Sequence, residues 1–176
     1  LYEARGPHFT WVWSDDLLMP RFVEVLHGVL EKNPSHLLTG CNAYRYYYPS
    51  DPNIPVPKAN LDQPHPEWEL LNELYPTATV KGDAYALGIF AKIYPVTQMC
   101  SLYRTDAVKA VFDHQIHIEN PFGFDYSRAA YGNDVQFLSE LGLRSGELVQ
   151  VGDPLVVARS TPTSMTERLI QKDRWQ

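Results

Sequence analysis

What this chain lacks narrows its chemistry first. No apolar run approaches the roughly 20 residues of a membrane-spanning helix, and Leu1-Tyr2-Glu3-Ala4-Arg5 has no apolar signal-peptide core behind its charges. No Gly-rich phosphate loop of the P-loop or dinucleotide type occurs. Ser101, Ser139 and Ser164 stand outside any G-x-S-x-G setting, so nucleophilic hydrolysis finds no support. Basic residues are the scarcer charge, 15 Lys and Arg against 21 Asp and Glu for a net charge of -6, which argues against a nucleic-acid partner. Only two cysteines are present, Cys41 and Cys100. They allow at most one bridge, which a chain of 176 residues does not need in order to fold. A cytoplasmic location is therefore expected, including one peripheral to the inner face of a membrane. Position 1 is Leu rather than Met, so a processed chain or a piece of a longer one is expected.

What is present has the ordinary composition of a globular domain, 44% apolar and 20% charged. Phe9, Trp11 and Trp13 alternate on one face of an extended segment, which predicts a strand over 9–13 running into Ser14-Asp15-Asp16. Pro20 suits the first turn of a helix. Phe22, Val25, Leu26, Val29 and Leu30 then recur at helical spacing opposite Arg21, Glu24, His27, Glu31 and Lys32, predicting a helix over 20–32 that stops at Asn33-Pro34. Further strand is expected at Leu37-Leu38 and over 43–48. Seven of the fourteen prolines fall between Pro49 and Pro76, which predicts a long excursion with one short helix over 67–74. Residues 85–94 fit helix or strand. Beyond them a short strand over 99–104 and a helix over 106–114 capped by Thr105 are expected. A helix over 133–141 ending at Gly142 follows, then strands over 148–151 and 155–157 split by Gly152-Asp153-Pro154. Alternating strands and helices predict one α/β layer domain with a mainly parallel sheet, and residues 160–176 read as a tail.

Three acids stand where chemistry is usually done. Asp15 and Asp16 sit at the end of an apolar strand, where open α/β sheets bind their ligands. Paired carboxylates there can hold Mg²⁺ or Mn²⁺ through hard oxygen ligands and so offset a diphosphate; equally, Ser14-Asp15 can cap the helix that follows. Asp134 opens a helix behind the aromatic approach Tyr126-Ser127-Arg128-Ala129-Ala130-Tyr131-Gly132. A general base for a hydroxyl fits that position, as does a plain helix-start acid. His114 and His117 share a helix face without a third ligand nearby, and are expected to be solvated or satisfied. Loop aromatics such as Tyr44, Trp68, Phe122 and Phe124 could offer flat faces to sugar rings.

Taken in order, these runs resemble the family 2 glycosyltransferases of the GT-A fold. Phe9 to Pro20, the helix ending Glu31-Lys32-Asn33-Pro34 and Leu38-Thr39-Gly40 resemble the strand that ends in the family's acidic D-x-D or S-D-D motif. Met99 to Val108 resembles its arginine-and-helix segment before the acceptor site. Gly132-Asn133-Asp134-Val135-Gln136-Phe137-Leu138 resembles its E-D motif, and Leu148 to Arg159 its closing strands. The resemblance spans about residues 6 to 160 and implies a three-layer nucleotide-diphospho-sugar transferase fold, mainly parallel, lacking the N-terminal nucleotide-binding strands. It implies an inverting transfer from a nucleotide-sugar donor to a hydroxyl acceptor, whether glycan, lipid-linked or other. Asp15 and Asp16 would hold the divalent cation (Mn or Mg), with Ser14 and Asp15 toward the donor. Asp134 would be the catalytic base, and Tyr126, Tyr131, Gly132 and Asn133 would line the acceptor side. Trp13 stands where many members have the first aspartate, and Asn133 where they have glutamate. A non-catalytic carbohydrate-binding or interaction domain built on the aromatic loops is the competing expectation.

Overall fold

A computed structural model of the chain describes residues 3–13, 16–47, 66–73, 75–116 and 133–160. The helical period at the start of the chain folds as expected: α1 spans Phe22–Lys32, with Phe22, Leu26 and Leu30 buried and Val25 and Val29 half-buried beside them. Pro20 lies in the turn before it rather than in its first turn. The Asn33 side chain donates to the Val29 carbonyl at 2.8 Å. Arg104 closes the same helix end from outside, its Nε donating to the His36 carbonyl at 2.8 Å and its Nη2 to the Leu30 carbonyl at 3.0 Å. A cation there also opposes the negative end of the helix dipole.

The strands are β1 His8–Phe9, β2 Leu17–Leu18, β3 Leu38–Tyr47, β4 Glu69–Leu70, β5 Ala78–Lys81, β6 Ser101–Arg104 and β7 Glu147–Ser160. They form one sheet in the order β1-β6-β3-β7-β2, with β4 added to β3 and β5 to β7. Only β3 and β7 run parallel among these pairs; the others are antiparallel. The mixed α/β class is as expected, but the mainly parallel sheet is not what forms. Apolar alternation reports which face a strand buries and not its direction, and here a long parallel pair is flanked by segments of two to four residues that come back against it.

Other boundaries move for tertiary reasons. The helix expected over 67–74 gives way, in the residues described, to β4, whose Glu69 and Leu70 register against Arg45 and Tyr44. Residues 10–13 are irregular, although Phe9 and Trp11 still pack inward while Val12 and Trp13 are exposed. The two expected closing strands are one strand, β7; the step at Gly152-Asp153-Pro154 is a shift of register against Cys41, Asn42 and Ala43. Asn42 Nδ2 fills that irregularity by donating to the Gly152 carbonyl at 2.7 Å.

The α1 face of the sheet buries Cys41, Ala43, Met99, Leu102, Val151 and Val156. Both thiols are free, and Cys41 Sγ donates to the Cys100 carbonyl at 3.3 Å. The opposite face is covered by α2 Gly82–Phe90, α3 Thr105–Ile116 and α4 Asn133–Ser145. There Trp11 meets Tyr103 and Phe137 edge-on at 5.3 and 5.0 Å between ring centres. Gly142 lies inside α4 rather than ending it: a Cβ there would lie 2.6 Å from the Tyr85 ring, and one on Gly82 would lie 2.1 Å from the Gly142 carbonyl oxygen. The helix ends at Gly146, whose φ of 72° is one that glycine adopts without penalty.

Candidate functional site

Asp16 precedes β2, whose Leu17 and Leu18 pair with Val157 and Val156 near the carboxyl ends of β3 and β7. Its Oδ1 accepts a hydrogen bond from the Arg159 backbone N–H at 2.8 Å. The pairing of β2 with β7 therefore sets this carboxylate at the rim where open α/β sheets bind ligands. Ser14 and Asp15, its expected companions, lie outside the described residues.

Asp134 lies in the first turn of α4, as expected, and is half-buried. Burial pushes its carboxyl pKa above the ordinary value of 3.8. Asn133 is the first residue of α4; Tyr126, Tyr131 and Gly132 lie outside the described residues. Anchoring α4 is the ring cluster beneath it, in which Phe137, three residues after Asp134, contacts Trp11, Tyr103 and Phe112.

Burial above all raises the Cys100 thiol pKa, and the Asp16 charge adds to it; burial likewise raises the Tyr103 hydroxyl, with the Asp134 charge adding. Cys100 belongs to the core under α1 and Tyr103 to the core under α4. The segment Cys100 to Tyr103 is held rigidly, since Tyr103 Oη donates to the Gln98 carbonyl at 2.5 Å and Thr10 Oγ1 to the Ser101 carbonyl at 2.9 Å.

A cavity of about 440 Å³ lies elsewhere, between Pro7, Leu37, Arg104, Asp106, Ala107 and Arg144. Arg144 is ten residues beyond Asp134 on the same helix, about 15 Å away at 1.5 Å per residue. Its cations are already engaged, Arg104 with the carbonyls at the end of α1 and Arg144 with Glu140 at 2.6 Å. His114 is also satisfied, its Nδ1 lying 2.7 Å from Glu140 Oε1; His117 lies outside the described residues.

Two features escaped the sequence. The Arg159 anchor of Asp16 is a backbone contact across 143 positions, which no side-chain pattern encodes. His8 and the pair His27 and Glu31 come from separate elements, β1 and α1, and converge in space; only the four-residue spacing of the last two was visible beforehand. Compared with models of known families and with curated proteins, the chain matches neither.

Proposed function

We propose that the chain is an inverting glycosyltransferase, or most of one, moving a sugar from a nucleotide-diphosphate donor to a hydroxyl acceptor with the help of a divalent cation. The observation that carries this reading is Asp134: a half-buried carboxylate at a helix start, its pKa raised by desolvation, on a helix locked by aromatic packing. A carboxylate whose proton affinity is raised is a better general base near neutral pH. Asp134 takes the acceptor hydroxyl proton as that oxygen bonds to the anomeric carbon, and the nucleoside diphosphate leaves with the electron pair of the broken bond. One base and no protein nucleophile suffice for a single displacement with inversion.

Carboxylate oxygens suit a hard cation, and the Arg159 N–H holds Asp16 in place at the rim. Asp16, together with Asp15, would hold Mn²⁺ or Mg²⁺, which when bound offsets the charge of the diphosphate. The resemblance to GT-A family 2 enzymes in the order of the motifs supports the same assignment.

The test is Asp134→Asn in the chain expressed with its full reading frame. Turnover of nucleotide-sugar should fall about 10² to 10⁴-fold, the usual contribution of a general base, with donor affinity little changed. Collapse of donor affinity with turnover of bound donor preserved would make Asp134 a donor-binding or structural group instead. Replacing Asp15 and Asp16 by Ala should abolish Mn²⁺-dependent turnover; full activity of that variant in chelator refutes the metal assignment. A carbohydrate-binding module would show no metal-dependent hydrolysis of nucleotide-sugar at all.

A further inference from the structure

On the outer edge of α1, three ligating side chains meet that the proposed reaction does not use. His27 and Glu31 stand one helical turn apart on the exposed face, and His8 reaches them from β1. His8 Nε2 and His27 Nε2 each lie 3.8 Å from Glu31 Oε1, and the ligand atoms of all three residues fall within 4.8 Å of one another. The two imidazole rings meet edge to face at 4.9 Å. A separation of 3.8 Å is too long for a hydrogen bond. It is close to the roughly 3.4 Å between two ligands held tetrahedrally at about 2.0–2.1 Å from one ion.

The inner member of the set supplies a second observation. The His8 side chain is 11% exposed, yet its Nε2 is fully buried and makes no hydrogen bond among the described residues. A buried polar nitrogen is normally satisfied, and this one faces the other two ligands. We propose that His8, His27 and Glu31 form a site for a divalent transition ion, Zn²⁺ by preference, that pins β1 to α1. Two imidazoles and one carboxylate with an open fourth position are a recurrent zinc set. Imidazole ligands favour Zn²⁺ over Mg²⁺ or Mn²⁺, so this site and the acid rim would sort their ions by ligand chemistry. His27 and Glu31 are half exposed or more and leave the fourth position to water. The Glu31 charge favours the ion, and nearby Arg104 opposes it while remaining committed to the α1 carbonyls. Affinity on the order of micromolar follows, below that of an all-thiolate structural site.

The pinned segment matters because β1 and α1 flank Asp15 and Asp16 in the chain. An ion here would tie together the two ends of the stretch that presents those acids. The inference does not depend on the proposed transferase activity, and its test uses none.

The untagged chain, stripped with chelator and dialysed, is titrated with Zn²⁺ against a chromogenic zinc indicator. One Zn²⁺ per chain should bind with micromolar affinity and survive millimolar Mg²⁺. His27→Ala and Glu31→Gln alter exposed side chains, so circular dichroism should be unchanged while affinity falls about tenfold or more, the scale on which even supporting groups of metal sites act. Co²⁺ in place of Zn²⁺ should give visible absorption that His27→Ala removes. Stoichiometric Zn²⁺ binding unchanged in both variants, or no Zn²⁺ binding by the unaltered chain, would overturn the site.

Discussion

The two faces of the sheet are built from different materials, and the difference shows how each is held. Under α1 the core is mostly aliphatic and sulfur-containing, with Leu26, Leu30 and the single ring of Phe22 among its buried members against Cys41, Met99 and Val156. Under α2, α3 and α4 it is rich in rings, with Tyr103, Trp11 and Phe137 packed edge to face, Tyr85 stacked on Tyr94, and helices brought into near backbone contact at Gly82 and Gly142. The first face sets one helix stripe against the strands. The second depends on ring geometry and on the absence of two side chains, and it supports the helix that carries Asp134.

Four substitutions would break or sharpen that contrast. The largest loss is expected on the aromatic side, where Phe137→Ala should cost about 3–5 kcal/mol, read by denaturant unfolding. The aliphatic counterpart Leu26→Ala should fall lower in an overlapping range of about 2–5 kcal/mol; a larger loss for Leu26 would reverse the ranking of the faces. Gly82→Ala should cost about 1–3 kcal/mol through overpacking, since the Gly142 backbone cannot swing aside as a side chain would. Unchanged stability would show that α2 and α4 can slide apart.

The smallest effect carries the clearest sign. The Asp134 carboxyl has its pKa raised in the folded chain by burial, so between the unfolded and folded pKa values the native state binds more protons and stability falls as pH rises. Below about pH 3.8 the group is protonated in both states and the penalty vanishes. Asp134→Asn should therefore raise the melting temperature at neutral pH by a modest amount that disappears in acid. A substitution that stabilises the fold while abolishing turnover is what a strained functional carboxylate predicts; destabilisation at neutral pH would mark it as a structural acid.

The same contrast governs what could be read from sequence. The helix α1 was legible because its period and its partner surface are both local, and the place of Asp134 at a helix start was legible because helix starts are punctuated by residue type; Asp16 was expected at the end of a strand over 9–13 and instead precedes β2, since residues 10–13 are irregular. Gly142 was misread as a stop because a glycine chosen for close helix contact looks identical to one chosen for a left-handed turn; the true stop, Gly146, lies four residues on. β5 went unnoticed since Ala78–Lys81 is mostly exposed and owes its extension to pairing with Glu147–Gln150. Strand direction and the meeting of His8 with His27 are long-range facts that no local pattern holds.

The central parallel pair also sets a timetable. β3 pairs with a strand about 110 positions later, as in the Thr39 hydroxyl that donates to the Val149 carbonyl. β7 is in addition the partner of β2 and β5. On a ribosome adding about 5–20 residues per second, β3 waits on the order of ten seconds for that partner. During that interval one side of a ten-residue, largely buried strand stands unpaired, a surface that invites wrong partners. Synthesis rate and chaperone supply, rather than the stability of the finished fold, should then govern how much of this protein a cell recovers in native form.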